Sequence, residues 1–74
     1  MSKETLFIKT EYIKLDQAMK FANVIESGAF AKEAIASSLV KVNGEVETRR
    51  GRKLYDSDTF SFQGETFVIK GMKE

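Results

Sequence analysis

Val40-Lys41-Val42-Asn43-Gly44-Glu45-Val46-Glu47, running on into Thr48-Arg49-Arg50-Gly51-Arg52-Lys53, decides how this chain is read. Alternating apolar and polar residues on either side of Asn-Gly are a strong local signal for a β-hairpin, because both turn positions favour residues that tolerate positive φ. Two registers are open. A two-residue Asn43-Gly44 turn pairs Val42 with Glu45 and Val40 with Glu47, which sets carboxylates on an apolar face. A three-residue loop with Gly44 left-handed pairs Lys41 with Glu45 and Val40 with Val46. It matches charge with charge and apolar with apolar, and is the expected register. Thr48 to Arg52 then reads as an exposed loop, since a strand interior would not hide three arginines.

Working outward toward the C-terminus, Lys53-Leu54-Tyr55 suits a short strand returning to the core and Asp56-Ser57-Asp58 a turn. Thr59-Phe60-Ser61-Phe62 alternates cleanly, and Gln63-Gly64-Glu65 turns it into Thr66-Phe67-Val68-Ile69-Lys70. That is a second hairpin, with Phe60, Phe62 and Phe67 in the core. Toward the N-terminus the period changes. Leu15, Ala18, Met19 and Ala22 fall at i, i+3, i+4 and i+7, one face of a helix for which Asp16 is the expected N-cap. Ser27-Gly28 breaks the chain, and Ala31, Ala34 and Ile35 form the stripe of a second helix from Ala29 to about Ser37. Leu6-Phe7-Ile8-Lys9 reads as a strand that Tyr12-Ile13 continues. The expectation is one α+β domain over residues 1–74, a helical hairpin packed on a small sheet.

Composition narrows the function. The chain has 74 residues with no His and no Cys. The commonest acid–base group, the thiol nucleophile and the usual transition-metal ligands are therefore missing, and an enzyme, a cofactor or a metal is not expected. Asp56 and Asp58 are expected to form a turn, not a metal pair. The net charge of +1 is itself uninformative, but residues 49–53 carry four basic side chains and no acidic one. A positive field so concentrated is the footprint of a phosphate-bearing partner. The start, Met1-Ser2-Lys3-Glu4, lacks an apolar leader segment, and no apolar run approaches the ~20 residues of a membrane helix. A soluble cytoplasmic protein with no membrane partner is expected.

Lys14-Leu15-Asp16, Ser27 opening a helix with Ala31 and Ile35, Val40-Lys41-Val42-Asn43-Gly44, and Asp58 occur in an order and spacing that resembles the S4-like RNA-binding domain, over roughly residues 12–62. The runs Glu26-Ser27-Gly28, Ala31-Lys32 and Val42 to Leu54 are similar to its small stand-alone branch, the YaaA-like proteins. The family often has Arg at 14 and 28 and usually Gly at 38 and 57. This chain has Lys14, Gly28, Ser38 and Ser57, and serine at the last two weighs against left-handed backbone there.

The resemblance implies two helices on a small, curved, mostly antiparallel sheet and a non-catalytic protein that binds structured RNA by phosphate and shape contacts. By analogy, ribosomal RNA or a ribosomal particle is a candidate target. Carried over by position, it nominates Lys14 and Gln17 on the first helix, Ser27 and Lys32 on the second, and Lys41 and Asn43 at the hairpin turn. The basic loop of the stand-alone branch adds Arg49, Arg50, Arg52 and Lys53, and Lys20 on the first helix is a further candidate. The plainer readings are a solvated loop, solubilising helix lysines and turn duty for Asn43. Tyr12, beside Lys14, and Tyr55, beside the loop, are open both to stacking on bases and to resting on the core rim. The expected protein is a monomer with no small-molecule substrate. An adaptor docking an acidic protein through the loop is the alternative. The pair Arg49→Glu with Arg50→Glu is expected to weaken RNA binding and leave folding intact.

Overall fold

The computed structural model of the chain describes residues 2–71. Met1, on which the reading of the chain's start partly falls, lies outside them, as do residues 72–74. Seven strands run through the described residues: β1 (Ser2–Phe7), β2 (Ile13–Lys14), β3 (Val40–Val42), β4 (Glu45–Val46), β5 (Lys53–Leu54), β6 (Thr59–Phe62) and β7 (Glu65–Lys70). Five of them form one sheet in the order β1-β7-β6-β3-β4. Its pairings are antiparallel except that β1 runs parallel to β7. The expected α+β class and mostly antiparallel sheet are found. Tyr12-Ile13 does not prolong the first strand. The chain bends after Lys9, Thr10 Oγ1 donates to the Tyr12 carbonyl at 2.7 Å, and β2 pairs instead with β5 in a separate two-stranded ladder.

Period-two alternation gives the large sheet one apolar face. Leu6, Val40, Val42, Phe60, Phe62, Phe67 and Ile69 are buried on it, as the phenylalanine pattern predicts. Phe60 and Phe67 face each other across the β6–β7 hairpin with ring centroids 4.9 Å apart. Helices α1 (Leu15–Phe21) and α2 (Gly28–Ala36) cover this face with Leu15, Ala18, Met19, Ala31, Ala34 and Ile35. Three of those six are alanines, which lets two helices and a sheet share one thin core.

Both helices end in the same way. Asn23 (φ 62°) follows α1, donating to the Lys20 carbonyl while Val24 donates to that of Met19. Ser38 (φ 66°) follows α2, donating to the Ile35 carbonyl while Leu39 donates to that of Ala34. These are Schellman closures, which satisfy the last carbonyls and require a left-handed residue at the first position past the cap. Ser57 (φ 78°) is left-handed as well, its N–H donating to the Ile69 carbonyl at 2.7 Å. The doubt that serine raised about left-handed backbone at 38 and 57 is thus corrected: the hydrogen-bonded closures hold it there. The N-caps divide. Ser27 Oγ accepts from the Phe30 N–H at 3.3 Å and caps α2, which starts at Gly28 where Ala29 was expected, whereas the N-cap of α1 is Lys14, and Asp16, the expected cap, lies inside the first turn.

The hairpin departs from the expected register. Val42 pairs with Glu45 and Lys41 with Val46 across a two-residue turn in which Asn43 (φ 51°) and Gly44 (φ 87°) both have positive φ. The Glu47 N–H donates to the Val40 carbonyl at 3.0 Å, so an acid does meet the apolar face. Matching of neighbours within the hairpin is outweighed by Arg49 and Arg52 beyond it, which take up that acid.

Replacing Ser38 by Gly should stabilise the fold. The left-handed penalty of about 1–2 kcal/mol is relieved against roughly 0.5–1 kcal/mol of added unfolded-chain entropy. The expected net gain of roughly 0.5–1 kcal/mol raises Tm by about 2–8 °C in a thermal melt, whereas Ser38→Val lowers it.

Candidate nucleic-acid interface

Glu47 is the buried charged residue among the described ones, with 7% of its surface exposed. Its carboxylate accepts four hydrogen bonds. Arg49 Nε and Nη2 grip the two oxygens as a fork at 2.9 and 3.1 Å, the Arg49 N–H donates at 3.0 Å, and Arg52 Nη1 donates at 2.8 Å. The hydrogen bonds from Arg49 hold the Glu47 carboxyl down from its ordinary 4.5 to about 2, against burial, which pushes it up, with Arg52 adding to the lowering. The geometry is that of a charge-assisted bidentate pair.

The clamp folds the basic loop onto the first helix. The Arg52 carbonyl accepts from the Leu15 N–H at 2.8 Å and the Arg50 carbonyl from the Asp16 N–H at 3.1 Å. The first donors of α1 are thereby satisfied by backbone, which is why no side-chain cap is needed. The β2–β5 ladder completes the join by setting Lys14 directly opposite Lys53. Both are exposed, and like charges at paired positions repel. Lys53 Nζ lies 4.9 Å from the centroid of the Tyr12 ring, and Tyr12 contacts Tyr55 at 5.7 Å between centroids. Both tyrosines therefore belong to the surface that carries the cations.

The nominated residues separate into three groups. Lys14, Arg49, Arg50, Arg52 and Lys53 come together where the loop meets the start of α1, and Gln17 stands exposed one turn on. Among the described residues the Arg50 side chain has no hydrogen bond or ion pair, while Arg49 and Arg52 are held by Glu47. Arg49 nevertheless keeps 73% of its side chain exposed. A second group is occupied by the fold. Asn43 Nδ2 donates to Asp58 Oδ1 at 3.2 Å, its Oδ1 accepts from the Thr59 N–H and Oγ1, and Ser27 caps α2. Asp58 Oδ2 also accepts from the Tyr55 N–H, in keeping with turn duty. In the third group, Lys20 stands exposed on α1 and lines one hollow with Lys14 and Gln17. Lys32 stands exposed on α2, and Lys41 projects from β3 on the face of the sheet opposite the buried Val40 and Val42.

Glu47 escaped the sequence reading, although an acid two and five residues before arginines was a signal. It also changes one expectation. Arg49→Glu would set a second carboxylate against a buried one, so it perturbs folding together with binding. Arg50 is the clean probe. Among the described residues no cluster of three or more His, Cys, Asp or Glu could hold a metal, and no helix is long and apolar enough to cross a membrane.

A family model described as "S4 domain" matches residues 6–70. "Probable ribosome maturation protein RlbA" of Bacillus subtilis (strain 168) is 47% identical over 57 residues, 77% of this chain and 80% of that protein. "Putative RNA-binding protein YbcJ" of Escherichia coli (strain K12) is 43% identical over 61 residues, 82% of this chain and 87% of that one.

The clamp carries a pH signature. The folded-state value of Glu47, about 2, lies below the ordinary 4.5. Its contribution to stability is therefore complete above about pH 4.5 and is lost as the pH falls toward about 2. In melts from pH 6 down to pH 2, Glu47→Gln should start lower than the wild type and decline less steeply through that window. Equal slopes for the two proteins would show that the clamp is not what titrates.

Proposed function

The chain belongs to the S4 domain family, and on that premise we propose that it is a non-catalytic protein that binds structured RNA, with ribosomal RNA or a ribosomal particle as its target. The observation that carries this reading is the pairing of Lys14 with Lys53 beside the unpaired Arg50. Adjacent cations on a preorganised surface gain most from a ligand whose own negative charges recur at short spacing. Phosphates of an RNA backbone meet that need. A-form RNA hides its base edges in a deep, narrow groove, so a rigid surface of this size reads phosphate spacing and 2′-hydroxyls. One relative's name gives RNA binding and the other's gives ribosome maturation, in support of the ribosomal target.

The basic loop is suited to this work because it is already ordered. Glu47 holds the Arg49 and Arg52 side chains, and the bonds to α1 hold the backbone at Arg50 and Arg52, before any ligand arrives. Less side-chain freedom is then lost on binding. The clamp also directs Arg49 so that its side chain stays largely exposed while one edge of the guanidinium is bonded. Arginine forks retain donors for a phosphate after one edge is used.

The test separates affinity from stability. Lys14→Glu should leave Tm unchanged or raise it, because it converts a repulsive cross-strand pair into an attractive one, worth about 0.2–1 kcal/mol. The same change should weaken binding to an RNA stem-loop about ten-fold or more and reduce the salt slope by about one, as should Arg50→Glu. With roughly five to seven phosphate contacts, log affinity of the wild type should fall with log salt at a slope of roughly −4 to −6. Absence of RNA binding at low salt would overturn the reading and favour an acidic protein as the partner of the loop.

A further inference from the structure

An open groove of about 940 Å³ lies between the bend that follows β1 and the solvent-facing flank of α1. Phe7, Tyr12 and Phe21 form its apolar walls, and Lys9, Lys14 and Lys20 surround them with no acidic residue among the lining. Phe7 is 72% exposed and Phe21 57%. Two phenylalanine rings left facing water beside a third aromatic make an apolar patch of the kind that marks a binding surface.

The groove is continuous with the cationic surface. Lys14 and Gln17 belong to both, and Tyr12 forms a wall of the groove while its ring contacts Tyr55. Tyr55 in turn lines a second depression, of about 540 Å³, together with Arg49, Gly51, Arg52 and Lys53. The tyrosine pair is thus a ridge between two hollows, each bordered by cations. The charge pattern selects the occupant. A second copy of this chain would bring Lys9, Lys14 and Lys20 against one another. A basic or neutral peptide would leave the three ammonium groups without partners. A chain of phosphates bearing flat aromatic groups satisfies both the cations and the rings.

We propose that this groove takes an unpaired nucleobase next to the structured part of the RNA, stacked on the exposed aromatic rings, with the flanking phosphates held by Lys9, Lys14 and Lys20. The inference rests on the RNA-binding reading above and adds a single-stranded subsite to it. A protein that reads duplex shape with its loop and a loose base with its groove recognises a junction, where a helix meets an unpaired segment.

The experiment compares a blunt RNA stem-loop with the same stem-loop carrying a short single-stranded extension labelled with 2-aminopurine. The wild type should bind the extended RNA about 5- to 100-fold more tightly than the blunt one, with a change in 2-aminopurine fluorescence on stacking. The Phe7→Ala, Phe21→Ala double variant should lose both the preference and the fluorescence change while keeping its affinity for the blunt stem-loop. Its Tm should hold, because both rings are exposed. Lys20→Glu, which leaves the aromatics alone, should reduce the preference as well. Equal binding of the two RNAs by the wild type, or a double variant that keeps the preference, would overturn the groove as a base site while leaving RNA binding by the loop in place. Failure of the wild type to bind even the blunt stem-loop would instead remove the RNA-binding reading and this inference with it. A Phe7-dependent dimer in sedimentation would assign the groove to a second copy and overturn the proposal.

Discussion

Glu47 is buried at the point where the first hairpin meets the basic loop, and satisfying its carboxylate organises everything around it. A desolvated charge without partners is costly, so the arginines that follow must turn back and bond it. Arg49 does so as a fork and Arg52 through one nitrogen. Once they have, the intervening backbone has little freedom, and the carbonyls of Arg50 and Arg52 meet the first N–H groups of α1. Hairpin register, loop conformation and helix start are therefore one coupled arrangement. Buried ion pairs are often poor sources of stability compared with apolar packing. Here the pair acts through geometry, by selecting one loop conformation among many.

The same coupling explains how a small domain carries a concentrated charge. Four cations in five positions would repel one another in an unconstrained loop. Glu47 offsets two of them, and Lys53 lies against the face of Tyr12. Among the described residues Arg50 is the loop cation left without a partner, and Lys14 is brought in opposite Lys53. Local rules of stability are broken at this surface, by a like-charge cross-strand pair and by exposed Phe7 and Phe21 close by. Such departures concentrate where function opposes stability. The left-handed serines are a separate matter, since they serve helix closure and a turn with hydrogen bonds that offset their strain.

Most of the architecture was legible in the chain because its periods are clean. The i, i+3, i+4, i+7 apolar set of the first helix, the alternating phenylalanines and the two glycine turns each depend on residues close in sequence. The S4-like pattern over residues 12–62 lies within the 6–70 span matched by the family. Of the nominated binding residues, those near the loop were found together. Asn43 and Ser27 were found holding the fold, and Lys41 on the far face of the sheet.

What the sequence determined by itself was the set of elements and the concentration of positive charge, since both follow from local propensity and composition. The hairpin register, the cap of α1 and which cations stay free depend instead on contacts between segments distant in the chain. The register turned on Glu47 meeting Arg49 and Arg52 outside the hairpin, and the helix start on carbonyls from a loop more than thirty residues away. Lys14 and Lys53, far apart in the chain, became neighbours only through the β2–β5 ladder. Interactions between distant segments depend on how the chain closes on itself, and residue-by-residue periodicity carries no record of that closure.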